Sequence, residues 1–221
     1  MKTSLRQSAM LLIRRRFSEN GRPLIYMKQA LITFIRNPEL GKGKTRLAKD
    51  SSKEYALEIY IKLLEHTRKV CEQTDAERYV FYADCINAED EWSTDDFQKR
   101  LQLDGGLGEK MKDAFSTVFS EGCNKAVIIG SDCPDISSEL IENAFSELNS
   151  NDFVIGPSND GGYYLLGMNT LFSPIFENKT WSTETVLEET VKDISDAGFS
   201  LKLLKPLTDV DHLEDVPQKW R

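Results

Sequence analysis

The stretch Ala126-Val127-Ile128-Ile129-Gly130-Ser131-Asp132-Cys133-Pro134-Asp135 sets the architecture. Its first four residues are apolar and mostly β-branched. They read as a buried strand, because a strand covered on both faces needs no polar alternation. The strand stops at Gly130 and ends by presenting the Asp132 carboxylate; Asp135 is expected to open the next helix, near its positive dipole end. Ser137 then reads as a helix cap ahead of Leu140, Ile141, Ala144, Phe145 and Leu148, which share one helical face. Strand, polar turn and helix form the repeating unit of a parallel sheet with helices on its faces.

The unit recurs on both sides of this stretch. Residues 30–35 (ALITFI) read as a strand, followed by a Pro/Gly/Lys loop over 37–46 and a helical stripe of Ala56, Ile59, Tyr60, Leu63, Leu64, Val70 and Cys71. Residues 79–82 form a short strand, 84–100 read as acidic and irregular, and Leu107, Met111, Ala114, Phe115, Val118 and Phe119 make another stripe. Downstream, 153–155 and 163–166 are strands. Ser182 is expected to cap a last long helix bearing Val186, Leu187, Val191 and Ile194, and 200–204 closes the sheet. The expected fold class is α/β, a three-layer sandwich with a mostly parallel central sheet. Such sheets bind ligands outside the carboxyl ends of their strands, where Lys42–Arg46 and Asp132 both fall.

Composition narrows the function. The chain has 221 residues, 40% of them hydrophobic, enough for one domain with a substantial core. A net charge of −8 argues against a nucleic-acid polymer as partner, since phosphate backbones need clustered Lys and Arg. Cys71, Cys85, Cys123 and Cys133 form no CxxC pair, and His66 and His212 are the only histidines, so a zinc site is not expected. His66 sits beside an apolar stripe and reads as structural. Reduced thiols, no transmembrane segment and no signal peptide place the protein in the cytoplasm. Oligomeric state is not readable. Residues 1–26 carry a net charge of +5 and look unlike the rest. They are expected to form a basic extension outside a domain spanning 27–221, with Met27 an alternative start and a basic arm for a membrane surface or partner the competing reading.

Several motifs carry candidate chemistry. Gly41-Lys42-Gly43-Lys44-Thr45-Arg46 combines glycines that let backbone N–H groups approach an anion with three positive charges, which suits nucleotide phosphates. A P-loop is the rival, but the first glycine of its pattern falls on Pro38, which lacks the N–H a phosphate cradle needs. A solvated basic turn is the bland alternative. Asp132, straight off a strand, suits a hard cation such as Mg2+, which prefers one or two carboxylates plus substrate phosphates. Asp209 and Asp211, two apart on extended chain, point the same way and can supply a second ligand; an acidic helix start is the alternative. Asp160-Gly161-Gly162 between two strands is by default a turn, with glycines that also admit a ligand. Gly105-Gly106-Leu107-Gly108 opens a helix whose N–H groups can face an anion or a base, or is simply a flexible entry. Trp181-Ser182-Thr183-Glu184 either lines an acceptor pocket or packs and caps.

In order and spacing, LITFIRNPELGKGKTRLA, GGLGEKM, VIIGSDCPDI, GPSNDGGYYLLG, WSTETVLEET and LTDVDHLEDV resemble one family. It is the glycosyltransferase-A-like group of radical-SAM/selenium-domain-associated transferases, once a domain of unknown function. The group is similar to nucleotide-diphospho-sugar transferases and to molybdenum-cofactor and phospholactate guanylyltransferases. The resemblance covers 27 to about 216. It implies the Rossmann-like nucleotide-diphospho-sugar transferase (GT-A) fold and a transferase dependent on Mg2+ (or Mn2+). The implied donor is a nucleotide or nucleotide-sugar and the acceptor a small molecule. A nucleotidyltransferase releasing pyrophosphate is the first alternative and a non-catalytic nucleotide-binding protein the second. By resemblance, Gly43, Lys44, Thr45 and Arg46 would bind the donor phosphates, with Gly106, Leu107 and Gly108 completing the nucleotide site. Asp132 and Asp211 would hold the metal, and Asp132, Arg46 and Asp160 would form the catalytic set, Asp160 facing the acceptor. His212 and Leu213 stand where Thr and Pro are usual, a departure next to the second metal ligand.

Overall fold

The computed structural model describes residues 28–221. The expected basic extension, with Met27, lies outside the described residues. The core is a mixed sheet of order β3-β2-β1-β4-β6-β5-β7. β1 (Gln29–Ile35) runs parallel to β2 (Glu77–Tyr82) on one side and β4 (Lys125–Ile129) on the other. β3 (Gln98–Leu101) lies parallel to β2 at one edge, and β7 (Leu201–Leu203) parallel to β5 (Phe153–Pro157) at the other. β6 (Tyr163–Met168) is inserted between β4 and β5 and runs antiparallel to both. The short connection from β5 to β6 permits only a hairpin, whereas a parallel pair needs a crossover.

The strand residues alternate between two cores. On one face Leu31, Ile35, Val80, Val127 and Ile129 pack under α2 (Lys53–Gln73) and α4 (Ser138–Glu147), through Tyr60, Leu64, Ile141 and Phe145. On the other, Ala30, Ile32, Phe81 and Ile128 pack under α3 (Leu107–Ser120) and α5 (Val186–Asp196), through Met111, Phe115, Val118 and Ile194. A third, smaller core matters more for position. The outer stripe of α2 (Ala56, Ile59, Leu63) packs against Leu47 of α1 (Thr45–Asp50) and against Val210 and Val216. Leu47 and Val210 are fully buried, and each such side chain stabilises by about 1.5–3 kcal/mol. The segment carrying Asp209 and Asp211 is thereby clamped beside the basic loop.

Some sequence expectations need correction. The loop over 37–46 ends at Lys44, because Thr45 already opens α1, a helix too short to show an apolar stripe. The acidic region 84–100 contains the start of β3, an edge strand with two adjacent cations, Lys99 and Arg100, that lacks an apolar signature. Ser182 caps nothing: its φ is +64°, and α5 starts after Thr185. Asp135 precedes the helix it was expected to open, which is capped by Ser137 accepting from the Leu140 N–H at 3.2 Å. The acidic C-terminal stretch is extended up to a single 3-10 turn, Leu213–Asp215.

Candidate active site

A cavity of about 1060 Å3 opens at the carboxyl rim of the sheet. Phe34, Ile35 and Arg36 bring the end of β1 to it, and Ser131 and Asp132 the end of β4. Because β6 runs the opposite way, its beginning, Tyr163, reaches the same rim.

The basic loop enters through backbone geometry. Gly41 and Gly43 have φ of +77° and +81°, and Lys44 itself is left-handed at +43°. A non-glycine residue there is uncommon and is held by its surroundings. What holds it is visible. Its side chain is only 5% exposed, with Nζ 2.9 Å from Asp132 Oδ2 and 3.9 Å from Asp211 Oδ1. Two residues on, Arg46 Nη1 lies 2.8 Å from Asp211 Oδ2. The backbone repeats the connection: the Val210 N–H donates to the Asp132 carbonyl at 3.0 Å. Val210 points into the third core while Asp209 and Asp211 both line the cavity, as two carboxylates two residues apart on extended chain should. The Asp211 and His212 N–H groups donate to Asp215 Oδ2, and His212 Nδ1 meets Asp50 Oδ2 at 2.8 Å, so the segment is also tied to α1.

Five carboxylates, Asp132, Asp160, Glu184, Asp209 and Asp211, line the cavity with three cations among them, Arg36, Lys44 and Arg46. The imbalance appears at Asp209, whose pKa is pushed up to about 7, first by burial and then by the Asp132 and Asp160 charges, with Lys44 opposing. The donor set is all oxygen and has negative charge in excess, which fits a hard divalent cation whose remaining ligands come from phosphates. Among the described residues no three His, Cys, Asp or Glu side chains already stand as a closed metal cluster. The fit is thus to an open site, with Lys44 occupying one face of Asp132.

The hairpin turn supplies the opposite wall. Asp160 Oδ1 accepts from the Ser158 hydroxyl and from the Gly162 N–H. Gly161 is required for close approach: its φ is +88°, and a Cβ there would lie 2.2 Å from the Glu184 carbonyl oxygen. The loop bearing Trp181, Ser182, Thr183 and Glu184 thereby closes over the turn and lines the cavity.

The expected nucleotide residues divide. Gly43, Lys44, Thr45, Arg46 and Leu107 line the cavity. Gly106 and Gly108 do not appear on its wall. Gly106 donates its N–H to Glu109 Oε2 at 2.8 Å, and a Cβ at Gly108 would stand 2.5 Å from Trp181 Nε1. Gly108 therefore lets the Trp181 indole pack on α3. Tyr60, read only as part of an apolar stripe, also reaches the site. Its hydroxyl accepts from the Arg36 N–H and donates to the Arg36 carbonyl, both at 2.9 Å, pinning the exit of β1. A polar tip within an apolar stripe was the available signal. His66 is structural, with Nε2 2.9 Å from the Ile136 carbonyl oxygen.

Comparisons with known proteins agree with this architecture. A family model described as "Uncharacterized protein conserved in bacteria (DUF2064)" matches residues 66–183. A crystal structure from Desulfovibrio desulfuricans G20, provisionally described as a nucleotide-diphospho-sugar transferase, superposes with a TM-score of 0.78 at 28% identity, covering 83% of this chain and 82% of that one. The 4-diphosphocytidyl-2C-methyl-D-erythritol synthase of Anaerococcus prevotii DSM 20548 shares the fold at TM-score 0.58 and 12% identity, with 85% and 92% covered. The manganese complex of Rv0371C from Mycobacterium tuberculosis H37Rv does so at 0.53 and 11%, with 85% and 95% covered. No curated protein matches the sequence. Among the described residues no helix is long and apolar enough to cross a membrane.

Proposed function

From the premise that the chain belongs to the DUF2064 family, we propose that it is a divalent-metal-dependent transferase using a nucleotide-diphospho-sugar as donor and a small molecule as acceptor. The observation that carries this reading is the meeting of Lys44 and Arg46 with Asp132 and Asp211 on one rim of a large cavity. The similarity to the provisionally described nucleotide-diphospho-sugar transferase supports it. A cytoplasmic setting, where nucleotide donors and reduced thiols coexist, belongs to the same proposal.

Asp132, with Asp209 and Asp211, would hold Mg2+ or Mn2+. The manganese complex of a protein of the same fold supports that choice. Such an ion offsets the negative charge that grows on the departing diphosphate. The chain's own cations do the rest of the electrostatic work. Lys44 and Arg46 are held by carboxylates, and donor phosphates can accept charge-assisted hydrogen bonds from the same N–H groups. Aimed at the leaving group in a partly enclosed site, they lower the barrier because they need no reorganisation as charge develops. Gly43 and Thr45 border the same phosphates. Asp160, oriented by Ser158 and Gly162, faces the acceptor side with the Trp181–Glu184 loop. Its carboxylate can accept a hydrogen bond from an incoming hydroxyl and fix its direction of attack.

The test is product analysis with Mg2+. Nucleoside diphosphate released from a nucleotide-sugar in the presence of candidate acceptors is the expected result. Pyrophosphate released from an NTP with a phosphorylated acceptor would replace glycosyl by nucleotidyl transfer at the same residues. Metal-independent binding of nucleotides without turnover would leave a nucleotide-binding protein.

A further inference from the structure

We propose that Gly130 sets acceptor specificity: the side chain it lacks keeps open an inner chamber that takes the apolar body of the acceptor, a small uncharged alcohol. The proposal rests on the transferase reading above and adds the acceptor's chemical class to it.

The chamber has a volume of about 300 Å3 and adjoins the large cavity, with Phe34, Asp132 and Asp209 common to both. That volume suits one ring or one branched alkyl group. Its own walls include Met111 of α3, Ile128 of β4 and Leu165 of β6, all buried. Gly130 lines the chamber and not the large cavity.

Neither backbone nor packing requires a glycine at this position. The φ of Gly130 lies outside the left-handed region, so a side chain would meet no backbone strain there. Among the described residues, a Cβ on Gly130 would meet no atom beyond its chain neighbours within 4 Å. Gly156 of β5 is the opposite case, since a Cβ there would lie 2.3 Å from Tyr164 Cζ. Strand alternation gives the direction of the empty space. Ile32 pairs with Ile128 in the β1–β4 register, and both belong to the core under α3. Two residues on along each strand, Phe34 and Gly130 fall side by side on that same face. The space that a side chain would fill is thus the side of the chamber toward Phe34 and Met111. A glycine at a strand end without a steric cause is a place where a ligand can approach the backbone.

The walls choose the occupant. The three cations of the rim, Arg36, Lys44 and Arg46, line the large cavity, and among the described residues no Lys, Arg or His lines the chamber. A phosphate or carboxylate would enter it without a countercharge, which is costly. The mouth offers hydrogen-bond acceptors, the Asp132 and Asp209 carboxylates. A hydroxyl can donate to them while its apolar body leaves water against Met111 and Ile128. A polyol or a nucleobase fits poorly, because its further polar groups would find few partners among these walls.

Benzyl alcohol is the probe and glycerol the polar control, each titrated into the full chain carrying 13C-methyl methionine. The Met111 methyl resonance should shift saturably with benzyl alcohol and not with glycerol. Gly130→Ala and Gly130→Val fill the space in two steps. Benzyl alcohol should bind more weakly in each, by at least about tenfold in Gly130→Val, with the dispersion of the amide spectrum retained. Should Gly130→Val not fold, the comparison of Gly130→Ala with wild type decides. With a nucleotide-sugar and Mg2+, benzyl alcohol should accelerate nucleoside diphosphate release more than glycerol does, and its KM should rise in the order wild type, Gly130→Ala, Gly130→Val. No saturable shift at Met111, an equal response to glycerol, or undiminished binding in Gly130→Ala and Gly130→Val would each overturn the proposal. Release that glycerol accelerates and benzyl alcohol does not would overturn it while leaving the transferase reading in place. A Met111 shift with no release from any nucleotide-sugar would instead overturn the transferase reading, and the acceptor role with it.

Discussion

Lys44 and Lys99 are equally hidden, each with 5% of its side chain exposed, and each is paired with an aspartate, at 2.9 Å to Asp132 and 2.6 Å to Asp90. Their surroundings separate them. Asp90 accepts from Lys99, Tyr82 and the Trp92 N–H, and Lys99 also holds the Asn87 carbonyl, so charge and hydrogen bonds balance inside a surface loop. Lys44 lies beside Asp132 and Asp211 on the wall of a large cavity where carboxylates outnumber cations, and burial followed by the Asp132 and Asp160 charges raises Asp209 to about 7. A buried ion pair is therefore weak evidence of function by itself. Unbalanced charge held beside a cavity is stronger evidence, because folding alone gives no reason to assemble it.

The sharpest break of this comparison is Asp132→Asn. It should reduce metal-dependent donor binding by at least about 100-fold, as expected for a lost charged ligand, and barely move the unfolding midpoint. Calorimetric titration with Mg2+ present, beside thermal denaturation, reads both. Lys99→Met should do the reverse. It strands Asp90 without its cation and should lower stability by about 2–3 kcal/mol, with donor affinity unchanged; urea unfolding checks it.

Asp209 offers a pH test. Its folded pKa, about 7, lies above the ordinary value of 3.8, so the folded chain holds this proton more tightly than the unfolded one. Its contribution to stability is fully present below about pH 4, falls as pH rises toward 7 and stays low above that. Asp209→Asn should lack that fall and exceed wild type above pH 7, by an amount on the order of 2 kcal/mol. Melting curves from pH 4 to 8 decide it, and a parallel fall in both proteins would remove Asp209 as the source. The smallest expected effect is Arg46→Ala, an exposed cation. Donor affinity should drop about tenfold at low salt and by less as salt screens the contact; titrations at two ionic strengths measure the slope.

The sequence made the sheet legible where burial is complete. AVII is wholly apolar and ALITFI is interrupted only by Thr33, and they became the central strands β4 and β1. Edges and short helices were not legible, because β3 and α1 carry charged residues and their conformation is set by neighbours more than by their own pattern. Position at the strand ends placed Lys44, Arg46 and Asp132 on one rim in advance. The pairing of Asp209 with Asp211 was legible from two-residue spacing. That Val210 anchors them on α2 was not, since one valine among acids shows no partner. The Gly108 reading reversed for a related reason: a glycine admits a ligand or a neighbouring ring equally, and only packing shows that Trp181 took the space.

The bond from the Val210 N–H to the Asp132 carbonyl joins residues far apart in the chain. During synthesis the basic loop and Asp132 emerge long before Asp209 and Asp211 are made. All seven strands precede Asp209 in the chain, so a chain stopped before it carries every strand and lacks two of the cavity's carboxylates. The rim is thus completed only when the last part of the chain folds onto the first.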